Sequence, residues 1–179
     1  MGKQSDAVKS LSGKRALVTG SSLGIGRAVA VRLAAEGAQV VLSARHSDML
    51  EETVKLIRDA GGEAVACAGS VADYGDAGDM VATCVDQFGG IDVLINCAGI
   101  AAAEKTLGRD GPHDQDLFTR TLDINLAGTF NNRNGIWGLV DAVGQTTVCQ
   151  QLHNHPLWQL VSSVITPCNG LKTNNILIF

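Results

Sequence analysis

Aromatic side chains make up only 4% of this 179-residue chain, and among them is a single tyrosine, Tyr74. Any chemistry that needs a phenol therefore has one candidate. Proline occurs three times, so no stretch has the make-up of a proline-rich linker. Positive charge is not in excess: 14 Lys and Arg against 18 Asp and Glu leave a net charge of −4. A chain of that sign has no long-range attraction for nucleic acid or anionic lipid, and we expect neither as a partner. No apolar run approaches the ~20 residues of a membrane span. The first 13 residues are polar, carry Lys3 and Lys9, and lack the apolar stretch of a secretory signal. Asp6 stands where N-myristoylation needs serine or threonine. The five cysteines, Cys67, Cys84, Cys97, Cys149 and Cys168, are odd in number and show no Cys-x-x-Cys spacing. Free thiols and a cytoplasmic location are the expectation. His153 and His155 have no third ligand at metal-binding spacing.

What is present is a core-forming pattern: 45% of residues are hydrophobic, enough for one domain and too few residues for two. Short apolar runs alternate with helical periodicity. Arg15–Thr19, Gln39–Ser43, Glu63–Ala68 and Ile91–Ile95 read as strands. Between them, Asp48 with Glu51 resembles a capping box ahead of Leu50, Val54 and Ile57, and Asp73 is placed to cap a helix carrying Met80, Val81, Cys84 and Val85. Strand–helix alternation of this kind predicts right-handed crossovers and a parallel sheet covered on both faces. Its ligand belongs at the carboxyl ends of the strands.

The first of those ends holds Thr19-Gly20-Ser21-Ser22-Leu23-Gly24-Ile25-Gly26, a glycine-rich turn between a strand and an amphipathic helix. Gly20 permits a tight turn, and Gly24 and Gly26 permit close approach of main chain and ligand. The helix that follows points unpaired amides and a positive dipole end at the turn, which suits a pyrophosphate. An ordinary strand-to-helix turn is the plainer alternative for a lone glycine loop.

Two further motifs remove that ambiguity. Asn96-Cys97-Ala98-Gly99 closes the fourth strand, and Ile124-Asn125-Leu126-Ala127-Gly128-Thr129-Phe130 lies beyond it. In this order the three resemble the short-chain dehydrogenase/reductase family over residues 10–130, with Cys97 where the family has a second asparagine. The resemblance implies an α/β fold, a Rossmann-like doubly wound parallel sheet truncated at its carboxyl end, and a nicotinamide dinucleotide held by Gly20, Ser21, Ser22, Leu23, Gly24, Ile25, Gly26, Asn96, Ala98 and Gly99. Ser70 and Val71 fall where the family contacts adenine, Ser70 replacing the usual aspartate.

About twenty positions past the glycines, an NAD site places a carboxylate on the ribose 2′-hydroxyl. Here that position is Ala44, followed by Arg45. A guanidinium pairs with a 2′-phosphate, so NADP(H) is favoured over NAD(H), with Ser43 and His46 nearby. The alternative is a solvated arginine at a strand end.

By the same resemblance, hydride transfer to a carbonyl or from an alcohol uses a serine, a tyrosine and a lysine four residues later, with an asparagine supporting water. Asn125 matches the asparagine, and Ser163 within Gln159–Val164 is the candidate serine. No pair matches Tyr-x-x-x-Lys: four residues after Tyr74 comes Gly78, and Lys172 has no tyrosine before it. A phenol needs a neighbouring cation to ionise near neutrality, so this pair is what the chemistry depends on.

Composition changes near Phe130. Residues 131–179 hold three charged side chains against 29 before them, and seven asparagines against two. We therefore divide the chain into 1–130, a dinucleotide-binding part, and 131–179, an atypical tail that we expect to come from an alternative exon, a retained intron or a shifted reading frame. The run Asn131-Asn132-Arg133-Asn134-Gly135 is expected to break the preceding helix. A sheet shortened in this way leaves an edge open, which Leu157–Ile165 or Ile176–Phe179 would cover. Two functions follow: an oxidoreductase using Asn125 and Ser163, or a non-catalytic dinucleotide-binding module that associates with full-length relatives. A homo-oligomer is compatible with either.

Overall fold

A computed structural model of the chain describes residues 9–101, 105–109, 111–143, 147–150 and 175–178. Ser163, His153, His155, Trp158, Lys172 and the segment Leu157–Ile165 lie outside them.

Strands β1 (Arg15–Thr19), β2 (Gln39–Ala44), β3 (Glu63–Ala68) and β4 (Val93–Asn96) alternate with helices α1 (Gly24–Ala35), α2 (Ser47–Asp59) and α3 (Tyr74–Phe88). They form one parallel sheet in the order β3-β2-β1-β4. Because the chain moves outward from β1 in both directions, a crevice opens between the carboxyl ends of β1 and β4. This is the α/β doubly wound arrangement expected from the strand–helix alternation.

The pleat sorts side chains onto two faces. Ala16, Val18, Val40, Leu42, Ala64, Val93 and Ile95 pack with Ala30, Ala34, Leu50, Val54 and Ile57 from α1 and α2. Leu17, Val41 and Leu94 pack on the other face with Met80, Val81 and Cys84 from α3. At the far end from the crevice, the Arg15 side chain and main-chain amide both donate to the Asp92 carboxylate, at 2.7 and 2.9 Å. Burial pushes the Asp92 carboxyl up, but these bonds and the guanidinium charge outweigh it and hold it below its ordinary value.

Asp73 caps α3 as expected, its side chain accepting from the Asp76 amide. The capping box at Asp48 and Glu51 does not form. The helix begins two residues earlier, with His46 at the cap position and no side-chain cap bond. Asp48 therefore sits inside the first turn, where its charge meets the helix dipole.

The expected break at Asn131–Gly135 is also corrected. Helix α4 (Gln115–Leu122) runs through a π-helical turn (Asp123–Ala127) into α5 (Gly128–Val143) without interruption. Two tertiary contacts, at Asn131 and Ile136, and one bond within the helix, at Asn132, offset the poor local propensity. Asn131 Nδ2 donates to the Val71 carbonyl at 3.1 Å, and Asn132 Nδ2 donates to the Gly128 carbonyl at 3.0 Å. Ile136 is fully buried against the α3 face of the core. Gly135 allows the close approach, since a Cβ there would stand 3.0 Å from Val81 Cγ2.

Nor is the β4 edge bare. A short strand β6 (Asn175–Ile178) pairs parallel to β4, matching one of the two expected covering segments, and β5 (Thr147–Gln150) pairs with β6. Among the described residues no helix is long and apolar enough to cross a membrane.

Candidate functional site

The crevice opens into a cavity of about 560 Å³, within the range of small-molecule sites. Five chain segments wall it: the glycine turn, the exits of β2, β3 and β4, and one face of α4 with its π-helical turn.

Within the glycine turn, three glycines are required for two different reasons. At Gly20 a Cβ would lie 2.7 Å from the Cys97 carbonyl and the Ala98 amide, and at Gly26 it would lie 2.3 Å from the Gly20 carbonyl oxygen. Those two positions are closed by neighbouring backbone. Gly24 has open space around it, but its φ of +56° is left-handed. The cap residue of α1, Leu23, makes no side-chain cap bond, so the first amides of α1 are free to meet a ligand. Gly20, Ser22, Leu23 and Gly24 line the cavity. Ser21 turns inward instead: its amide and hydroxyl both donate to the Ser43 carbonyl, at 3.1 and 3.3 Å. Ile25 projects outward and Gly26 is buried behind the turn, so these two shape the cradle without lining it.

At the β2 exit, Ser43, Ala44, Arg45 and His46 all face the cavity. No carboxylate occupies this corner, and Arg45 is exposed at its rim. The Ser43 hydroxyl is buried with no hydrogen-bond partner. An orphaned donor at the cavity wall is a group that a polar ligand can satisfy. At the β3 exit, Ser70 and Val71 line the wall with Gly69 and Ala72. The Ser70 amide is taken by Asp76 Oδ2 at 2.7 Å, a contact the sequence did not announce.

The β4 exit is tied to β1 by the Ala98 amide, which donates to Thr19 Oγ1 at 3.2 Å. Cys97, Ala98, Gly99 and Ile100 line the cavity, and burial pushes the Cys97 thiol up, away from reactivity. Burial likewise pushes the Cys84 thiol up to about 12. Asn96 does not line the cavity. Its amide oxygen accepts from Asn132 Nδ2 at 3.4 Å, which leaves Asn96 Nδ2 and Asn132 Oδ1 unpartnered under α5.

Asn125 sits in the π-helical turn and grips a single residue of the β4 exit loop. Its Oδ1 accepts from the Ile100 amide at 2.9 Å, and its Nδ2 donates to the Ile100 carbonyl at 2.8 Å. The described geometry thus makes Asn125 a positioning residue for that loop. Tyr74 is 63% exposed at the start of α3 and is not part of the cavity wall.

Arg120, Asp123 and Ile124 also line the cavity, and the sequence reading missed them. They follow β4 by a long loop and reach the site only because α4 folds back over it. A helical-face pattern in residues 115–136 was the available signal. Positions 120, 124, 128, 132 and 136 alternate with the exposed apolar positions 118, 122, 126 and 130.

Comparison with known proteins agrees with this geometry. A model of the short chain dehydrogenase family matches residues 14–147. The L-rhamnose 1-dehydrogenase (NAD(P)(+)) of a Sphingomonas species is 42% identical over 124 residues, covering 69% of this chain and 47% of that protein. The human 3-hydroxyacyl-CoA dehydrogenase type-2 is 38% identical over 127 residues, covering 70% and 48%. A short chain dehydrogenase from Burkholderia cenocepacia solved in complex with NADP superimposes with a TM-score of 0.65 at 35% identity, covering 72% of this chain and 51% of that one. One from Mycobacterium marinum gives 0.69 at 34%, covering 79% and 56%. The chain spans about half the length of the curated relatives it matches.

Proposed function

Since the chain belongs to the short-chain dehydrogenase family, we propose that its cavity binds NADP(H) as the coenzyme half of an oxidoreductase acting on a carbonyl or alcohol. The observation that carries the coenzyme is the turn whose two closed glycine positions, Gly20 and Gly26, leave main-chain amides of α1 facing the cavity. Those amides would hold the diphosphate. Arg45, with no carboxylate at Ala44, favours a 2′-phosphate. The bound coenzyme would supply or accept hydride. The chain's own groups hold it and order the loop at Ile100 through Asn125.

Titration of purified protein by calorimetry tests this. NADPH is expected to bind more tightly than NADH, and Arg45→Ala to weaken NADPH about tenfold or more while leaving NADH unchanged. Heat from neither coenzyme on folded protein refutes the reading. Equal effects of the substitution on both coenzymes refute the choice of NADP(H).

These 179 residues contain no Tyr-x-x-x-Lys pair. We therefore propose that they bind coenzyme without turning it over, as a module that associates with further copies or full-length relatives. Ser163 keeps its place as the candidate carbonyl-steadying group. NADPH mixed with a panel of ketones is expected to hold its absorbance.

Assembly has its own supporting observation. Phe118, Leu122, Leu126 and Phe130 are large, apolar and exposed, and they recur every four residues. In an uninterrupted α-helix this spacing would spiral around the axis by about 120° over three steps. The π-helical turn rotates less per residue and holds the four on one side. The stripe reads Phe-Leu-Leu-Phe in both directions, with Asp116 before it and Arg133 after it. Antiparallel pairing about a two-fold axis near Ile124 places Phe118 on Phe130, Leu122 on Leu126, and Asp116 near Arg133, the self-complementarity that an isologous dimer needs. Light scattering is expected to give a dimer mass, and Leu122→Asp a monomer mass; a wild-type monomer at tens of micromolar rejects the dimer.

A further inference from the structure

The inward face of α4 carries one cation into the cavity wall, and its position is fixed by two residues further along the same face. Ile124 packs into the core cluster that contains Val71. Gly128 lies so close that a Cβ there would meet Val71 Cγ2 at 2.6 Å. Arg120 is one turn before Ile124 on that face and lines the same cavity as Ser70, Val71 and Ala72. Among the described residues the Arg120 side chain has no hydrogen-bond or ion-pair partner, although Asp116 and Asp123 stand within a turn of it. Below it the wall is apolar, formed by Val71 and Ala72. It has no carboxylate at Ser70, and the Ser70 amide is already taken by Asp76.

A slot with an apolar floor and an unpaired planar cation above it suits a flat aromatic heterocycle. We infer that Arg120 is a coenzyme-binding residue whose guanidinium stacks on the adenine base and presses it against Val71. The inference rests on the coenzyme reading above and adds to it a grip on the base that no hydrogen bond from residue 70 supplies. A guanidinium is weakly hydrated and planar, so it stacks on a π face where an ammonium would remain solvated.

Arg120 is exposed, so its variants are expected to fold. The test titrates wild type, Arg120→Ala, Arg120→Lys and Arg120→Trp with NADPH and with adenosine 2′-phosphate, at low and high salt. Stacking predicts that Ala and Lys each weaken both ligands about tenfold, that the loss persists at high salt, and that Trp retains most of the affinity because it keeps the plane without the charge. Retention by Lys with loss in Trp overturns the inference and assigns the guanidinium to a phosphate. Wild-type affinity in all three variants overturns it as well, while leaving the coenzyme reading intact. If wild type binds neither ligand, the coenzyme reading itself has failed.

Discussion

Gly26→Ala is expected to reduce NADPH affinity by up to about a hundredfold. The added Cβ would stand 2.3 Å from the Gly20 carbonyl oxygen and 2.7 Å from its carbonyl carbon. Both are main-chain atoms of the same cradle, so neither can swing aside as a flexible side chain would. The overlap is relieved only by moving α1 away from the turn or by moving the turn into the cavity. Overpacking of this kind costs about 1–3 kcal/mol. Where the turn moves, the same energy appears as lost binding, at 1.4 kcal/mol per decade. Gly24→Ala is the informative contrast. Its Cβ would meet nothing within 4 Å, and its only penalty is a left-handed backbone, about 1–2 kcal/mol. Affinity should therefore fall in the order wild type, Gly24→Ala, Gly26→Ala, with circular dichroism showing the secondary structure retained. Wild-type affinity in Gly26→Ala would mean that the turn does not hold the diphosphate.

Ile136→Ala is expected to lower unfolding free energy by about 2–5 kcal/mol, the usual cost of emptying a fully buried aliphatic site. That is a large part of the stability of an ordinary domain. The site lies past Phe130, in the stretch whose composition departs from the rest, which is why the result matters. Ile136 is in one cluster with Met80, Val81 and Cys84 of α3, so α5 and α3 should unfold together. Phe130→Ala, on the exposed face of the same helix, is expected to change the midpoint of urea unfolding very little in dilute protein. A variant at Ile136 with an unchanged urea midpoint would show that α5 contributes nothing to the core.

The two substitutions mark the limits of what could be read in advance. The coenzyme turn was legible because its determinants are local. Strand, glycines and helix lie in one continuous stretch, Arg15 to Ala35, and the meaning of each glycine follows from backbone sterics alone. The β2 exit was legible for the same reason, since Ala44 and Arg45 carry their charge logic without reference to distant parts. Residues 131–135 misled because helix propensity measures an isolated segment. In the folded chain Asn131 and Asn132 spend their amides on carbonyls of the wall and of the helix, and Ile136 anchors the turn that follows. The capping box at Asp48 failed by two residues. The helix start was set by where β2 releases the chain, not by the capping side chain.

By itself, the order of residues determined the strand–helix alternation, the position of the glycine cradle, the absence of a carboxylate beside Arg45 and the absence of a Tyr-x-x-x-Lys pair, because each depends on neighbours in the chain or on a simple count. Only the tertiary structure decided which side chains close the far wall. Arg120 lines the same cavity as Val71 with 48 residues between them, and Asn125 finds the peptide groups of Ile100 across 24, because the helix is laid over the crevice by the packing of Ile124 and Ile136 against the cluster of Leu17, Val71 and Met80 and of Gly128 against Val71. Burial acts through space, and no local periodicity states which surface a helix will cover.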